Sequence, residues 1–222
     1  MDGRTVISSI KTPTTANVSD GIVKALKYLV AESGVNVADL DAVMIGTTHF
    51  TNAVVERRRL QPTACIRLAL PATVCLPPMV DWPDELREVV GGHYYLAHGG
   101  HEFDGRDISA FDADEIRGIA EQIAAKGIKA IAISSVFSPV NADFEQKAAE
   151  IVAQVIPDAS ITLSSTIGRI GLLERENAAI MNACLRELAI KTVGGFKQAL
   201  AELNITAPFF ISQNDGTLMN AD

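Results

Sequence analysis

Residues 128–135, Ile-Lys-Ala-Ile-Ala-Ile-Ser-Ser, decide the fold class. They form a nearly continuous apolar run, which is what a strand covered on both faces requires. An amphipathic helix is predicted over 142–155 and another strand over 160–164. On the other side of the run, Asp112 followed by Glu115 makes a capping-box-like helix start, and Gly127 closes that helix. Buried strands alternating with helices call for a sheet flanked by helices, an α/β architecture.

The same rhythm extends outward in both directions. Residues 93–110 read as a hairpin turned at Asp104-Gly105. Residues 63–69 and 42–47 are core strand candidates in a common sheet with 128–135. A helix is predicted over 49–58, ended by Leu60-Gln61-Pro62. Ser19 is placed to cap a helix running to Glu32, with Gly34 as its stop. Residues 4–10 read as a strand entered from an Asp2-Gly3 turn. The stretch from Leu70 to Pro83 holds four prolines and no clean period, so it reads as a long loop. Residues 172–203 read as mainly helical, with a bend or packing contact at Gly194-Gly195. A last strand over 208–212 runs into Gln213-Asn214-Asp215-Gly216. One lobe over 1–222, with a subdivision into 1–90 and 91–222, fits this pattern.

The 222 residues are 48% hydrophobic and 21% charged, which supplies a normal core. With 19 basic against 27 acidic residues the formal net charge is −8. That balance argues against a phosphate-tracking surface, and 5% aromatic residues supply few stacking platforms. The reading is of a protein that binds no nucleic acid. No apolar stretch reaches the length of a membrane span and no signal peptide is read, so no membrane association is expected and the cytoplasm is the default. Cys65, Cys75 and Cys184 lack metal-ligand spacing and read as isolated, small buried thiols.

Gly46-Thr47-Thr48 follows a buried strand and precedes a helix. Glycine there permits close backbone approach, the hydroxyls donate and accept, and the helix start offers unpaired amides. The alternative is that Thr47 and Thr48 only cap the helix. Asn214-Asp215-Gly216 likewise follows an apolar strand, as a ligand loop or as an ordinary turn. His98 and His101 flank Gly99-Gly100, but three residues apart in an extended strand they point to opposite faces. Solvated or interdomain polar residues are therefore favoured over a metal site. His49 at a helix start could serve as a base or a phosphate ligand. Glu174-Arg175-Glu176 reads as a solvated helix start, and Asn182 as an amide among apolar neighbours that needs partners.

These residues also carry a resemblance. The run Ile45-Gly46-Thr47-Thr48-His49-Phe50-Thr51-Asn52-Ala53-Val54-Val55-Glu56-Arg57 resembles the HGTTxATNALLER stretch of the hydantoinase/oxoprolinase family. That family comprises the large subunits of ATP-dependent hydantoinases, 5-oxoprolinases and related acetone or acetophenone carboxylases. Lys11-Thr12-Pro13-Thr14-Thr15, Glu174-Arg175 with Asn182-Ala183, and Ser212 to Gly216 match further family stretches in order. The sequence departs from the family at Ile45, where a histidine is usual, at Glu176–Ala179, where a threonine-rich run is usual, and at Asp215, where a glycine is usual.

The resemblance implies an RNase H-like lobe of the actin/Hsp70/sugar-kinase type, a mixed sheet with flanking helices. It implies ATP and Mg in the intact protein, held between two lobes, and a small-molecule cyclic amide as substrate. The first phosphate loop of such folds lies in the opening hairpin, and the second belongs to another lobe. The expectation is therefore an incomplete lobe, partnered by the rest of the same polypeptide and by a further subunit, with no nucleotide bound tightly to this chain alone. Gly46, Thr47, Thr48, Asn52, Asn214 and Gly216 are the cofactor-binding residues this implies, with no metal ligand and no nucleophile assigned. A carboxylase subunit, or a regulatory or scaffold domain that keeps the fold without catalysis, is the rival reading.

Overall fold

The structure, a computed structural model, describes residues 5–12, 18–46, 48–169, 171–213 and 216–221. The chain divides into two compact units, Met1–Phe50 with Leu188–Asp222, and Thr51–Glu187. The second unit is thus inserted in the sequence of the first. A division at residue 90 is not seen: it would fall inside the second unit, between strands that are hydrogen-bonded neighbours.

The first unit holds α1 (Val18–Ser33), β1 (Val43–Ile45), β6 (Phe209–Ser212) and β7 (Leu218–Asn220). Gly34 stops α1 at φ +65°, its amide donating to the Val30 carbonyl. β1 and β6 run parallel, and β7 returns antiparallel to β6. Their inward residues Val43, Ile45, Phe209 and Ile211 pack with Leu26, Phe196 and Leu200. The expected strand over 4–10 is not seen in its described part, where residues 6–12 carry no regular structure; the Asp2-Gly3 turn lies outside the described residues.

The second unit is built on four parallel strands in the order β3 (His93–His98), β2 (Thr63–Leu70), β4 (Ala130–Ser135) and β5 (Ser160–Leu163). Every residue of β4 is buried, as its apolar run demands. Alternate residues Ala64, Ile66, Leu68, Ile131 and Ile133 pack beneath α4 (Ala113–Ala125) and α5 (Asp143–Val155). Asp112 caps α4 by accepting from the amides of Asp114 and Glu115. Glu115 does not complete the box; its carboxylate accepts from the amide of His98 instead, at 2.8 Å.

Three expectations are corrected. Residues 43–45 lie in the other sheet from β2 and β4, because their partner is β6, far along the chain. Residues 93–98 are not an arm of a hairpin but a parallel neighbour of β2. The Asp104-Gly105 turn exists only as a small loop beyond β3, closed by a bridge between His101 and Asp107. The helix after Thr48 is short, α2 (His49–Val55), and Arg57 and Arg59 follow it in left-handed conformations.

Residues 71–83 are free of helix and strand, as the prolines imply, before α3 (Asp84–Val90). A short α6 (Ser164–Ile167) follows β5. α7 (Leu172–Glu202) is one continuous helix that runs through Gly194 and Gly195 without ending. Among the described residues no helix is long and apolar enough to cross a membrane.

Candidate functional site

The first unit brings two of the sequence motifs to one edge. β1 and β6 are parallel and in register at Ile45 and Ile211, so Gly46 and Ser212 leave the sheet side by side at its carboxyl end. A Cβ on Gly46 would stand 3.2 Å from Ser212 Oγ, so glycine leaves backbone there open to close approach. The turn from β6 to β7 is held by the Gln213 amide on the Thr217 carbonyl (2.8 Å) and the Gly216 amide on the Gln213 carbonyl (3.0 Å). Gly216 sits at φ +83°, a conformation that side chains resist.

Thr48 is exposed and directly precedes α2; Asn52 is exposed on α2, within the second unit. Thr47, Asn214 and Asp215 lie outside the described residues. The carboxyl ends of parallel strands are where α/β sheets place ligands. The two loops, 46–48 and 212–217, contain amides, hydroxyls, carboxamides and one carboxylate, Asp215, with no lysine or arginine.

The Glu174-Arg175-Glu176 stretch is not a solvated helix start. Arg175 and Glu176 are buried at the beginning of α7, and they tie it to the sheet. Arg67, in the middle of β2, donates from Nε to Glu176 Oε2 at 2.7 Å and from Nη2 to Glu176 Oε1 at 2.5 Å. Ser134 of β4 donates to the same carboxylate at 2.5 Å, and Arg67 Nη1 also bonds the Leu76 carbonyl. Arg175 donates from Nε to Ser164 Oγ at 2.9 Å and from Nη2 to the Ser135 carbonyl at 2.6 Å. Ser164 donates onward to Glu145 at 2.6 Å, and Ser165 supplies Glu145 with its amide and hydroxyl.

Burial pulls the Arg175 guanidinium below its ordinary pKa, opposed by the nearby charges of Glu145, Glu176 and Glu174. Every group in this layer has a partner, which suits a structural tie rather than a reacting centre. A single arginine inside the apolar run Thr63–Leu70 was the available signal, since a buried charge requires a partner.

The histidines stay apart. His98 lies 3.2 Å from Glu115, half exposed. His101 is buried and stacks on Phe144 with ring centroids 4.4 Å apart. Among the described residues no group of three His, Cys, Asp or Glu could hold a metal ion. His49 begins α2 with its ring edge-on to Phe50. Asn182 finds its partner in Thr162 Oγ1 at 3.1 Å. Cys65 and Cys184 are buried as expected; Cys75, in the proline-rich loop, is exposed instead.

The comparisons with known proteins agree with this architecture. The family model described as the hydantoinase/oxoprolinase N-terminal region matches residues 1–156. The nucleotide-free structure of acetone carboxylase, from a study of ATP-dependent acetone carboxylation, superposes with a TM-score of 0.77 at 16% identity, covering 96% of this chain and 33% of that one. The ATP-dependent caprolactamase from Pseudomonas jessenii superposes with a TM-score of 0.73 at 19% identity, covering 95% and 32%. The chain therefore spans about a third of the length of these solved chains and shares their α/β fold, of the actin-like class. No curated protein matches the sequence.

Proposed function

The chain belongs to the hydantoinase/oxoprolinase family, and on that premise we propose that it is the N-terminal lobe of an ATP-dependent cyclic-amide hydrolase of the hydantoinase or 5-oxoprolinase type. The observation that carries this reading is the meeting of Gly46 and Ser212 at the carboxyl end of β1 and β6. Two loops that the sequence singles out separately leave the sheet there as neighbours. What supports a phosphate there is the close approach that Gly46 permits, since a Cβ would crowd it, together with the loop hydroxyls and carboxamides; Asp215 in the second loop is the one acidic group among them.

Gly46, Thr47 and Thr48 from one loop, Asn214 and Gly216 from the other, and Asn52 on α2 are the residues proposed to hold ATP. Bound ATP, with Mg, would supply the phosphoryl group that activates the amide oxygen. The chain's own residues would position it, through the backbone at Gly46 and the Thr48 hydroxyl, with Gly216 shaping the second loop, since phosphoryl transfer depends on placement and on donors aimed at developing charge. The rest of the same polypeptide would complete the site, with a second subunit as a further partner.

The likeness to acetone carboxylase favours one alternative, a carboxylase subunit using the same lobe. An assay of the polypeptide carrying this chain separates the two. Hydantoin or 5-oxoproline opened in step with ATP consumption supports the hydrolase. ATP consumed only with bicarbonate and a ketone supports the carboxylase. Consumption in neither case leaves the scaffold reading standing.

A further inference from the structure

Among the described residues β3 is the outer strand of its sheet, with β2 as its one strand neighbour. The amide of Gly99 turns inward, donating at 2.7 Å to Ser109 Oγ, which donates to the Leu70 carbonyl at the end of β2. The amide of His98 turns outward, to Glu115. Backbone direction alternates along a strand, so the polar groups of Leu96 and Tyr94 face outward with those of His98. The strand, His-Tyr-Tyr-Leu-Ala-His, is six residues long with no proline and no lysine, and α4 takes up its outward polar groups at His98, where Glu115 accepts.

α4 flanks this edge and carries Asp114, Glu115, Arg117 and Glu121, with Lys126 as its C-cap; of these the groove takes Asp114 and Glu115. A shallow groove of about 450 Å³ is lined by Tyr95 and Leu96 on the strand and by Asp114, Glu115, Gly118 and Gln122 on the helix. One turn beyond Gln122, Lys126 lies over the Tyr95 ring, 5.4 Å from its centroid. Its charge also reaches His93, whose imidazole is held below its usual pKa by burial and then by Lys126. The edge is therefore acidic beside the carboxyl end of β3 and cationic beside its amino end. Gly118, midway, leaves open space where a side chain would stand.

We propose that this edge joins two copies of the chain, β3 pairing antiparallel with β3 about a two-fold axis. Antiparallel self-pairing sets the amino end of each strand against the carboxyl end of the other. Lys126 of each protomer then faces Asp114 and Glu115 of its partner. From Asp114 to Lys126 the helix rises about 18 Å, close to the roughly 20 Å of a six-residue strand, so both charge pairs form together. A uniformly basic or acidic extended segment would meet like charge at one end. A second copy meets opposite charge at both, and an isologous interface needs that self-complementarity.

Sedimentation equilibrium of the chain at several loadings tests this. The expected mass rises with concentration toward twice the 23.7 kDa of one chain. Lys126→Glu and Asp114→Lys, both at exposed positions, are each expected to weaken the dimer about tenfold at low salt. The two together in one chain are expected to restore it. Hydrogen exchange at the Tyr94 and Leu96 amides is expected to slow as the dimer fills. A mass of 23.7 kDa at every loading, a dimer indifferent to both single reversals, a double reversal that restores nothing, or unslowed exchange at those amides would each overturn the proposal.

Discussion

Arg67 and Glu176 form a two-pronged ion pair between the middle of β2 and the amino-terminal part of α7, with both side chains fully buried. Their neighbours follow from it. Ser134 completes the carboxylate's hydrogen bonds from β4, and the buried Cys65 thiol beside them is held well above its ordinary pKa by burial and by the Glu176 charge. The face of the sheet turned away from α4 and α5 thus carries a polar tie that fixes where α7 begins. Arg175, the next residue back, repeats the arrangement against Ser135 and Ser164.

Removing one partner should be costly. Glu176→Gln leaves the guanidinium of Arg67 buried without a counter-charge, and an uncompensated buried charge costs about 3–5 kcal/mol. Replacing Arg67, Glu176 and Ser134 together by methionine, leucine and alanine should recover most of that loss, because the hydrophobic set leaves no charge to compensate. Urea unfolding followed by circular dichroism measures both. A Glu176→Gln protein as stable as the parent would mean that the pair is solvated in solution.

The parts of this fold that are readable in sequence are those set by local pattern. Residues 128–135 announce a strand because both their faces are covered, and Asp112 and Gly127 bracket α4 because caps are chosen locally. Gly46 and Thr48 stand out because turn residues between a strand and a helix either meet a ligand or cap the helix, although β1 itself is only half-buried. Long-range pairing is not written that way. Nothing in 42–47 says that its partner is 209–211 rather than 63–69, so a common sheet was the simpler expectation. Arg67 and Glu176 stand 109 residues apart. The charge in the strand asks for a partner, but the pattern around Glu174 looks like any solvent-facing helix start.

The thiols should separate by burial. Burial pushes Cys184 up to about 12 and raises Cys65 strongly, whereas Cys75 is exposed. At pH 8 an alkylating reagent should modify Cys75 within minutes and reach Cys65 and Cys184 only as fast as the protein unfolds. The sign of the pH effect follows from linkage. The folded protein holds the Cys184 proton more tightly than the unfolded chain does. Its contribution is therefore fully present below the unfolded thiol's pKa and is lost as pH rises from there through about 12. Thermal melts across alkaline pH should show the decline, and Cys184→Ala should flatten it.

The chain by itself should hold Mg-ATP weakly. The loops 46–48 and 212–217 contain no lysine or arginine to offset triphosphate charge, and the chain carries a net charge of −8. Calorimetric titration is expected to give no stoichiometric event in the micromolar range. A tight, one-to-one isotherm would show that these loops suffice without the rest of the site.

Thr48→Val in the polypeptide carrying this chain decides whether the loop after β1 binds ligand. Valine keeps the branched shape and removes the hydroxyl. If that hydroxyl bonds the nucleotide or the substrate, its loss leaves a desolvated group unpaired. The cost is about 1–3 kcal/mol, seen as a fall of roughly tenfold to hundredfold in kcat/KM for ATP-dependent turnover. If it only satisfies the first turn of α2, the loss appears as about 0.5–2 kcal/mol of stability with kinetic constants unchanged. Thr48 is exposed, so the substitution opens no cavity, and folding should survive for both measurements. We expect the kinetic loss to dominate, because Gly46, two residues earlier, already opens the backbone beside Ser212. A lowered melting temperature beside unaltered kcat and KM would remove Thr48 from the site.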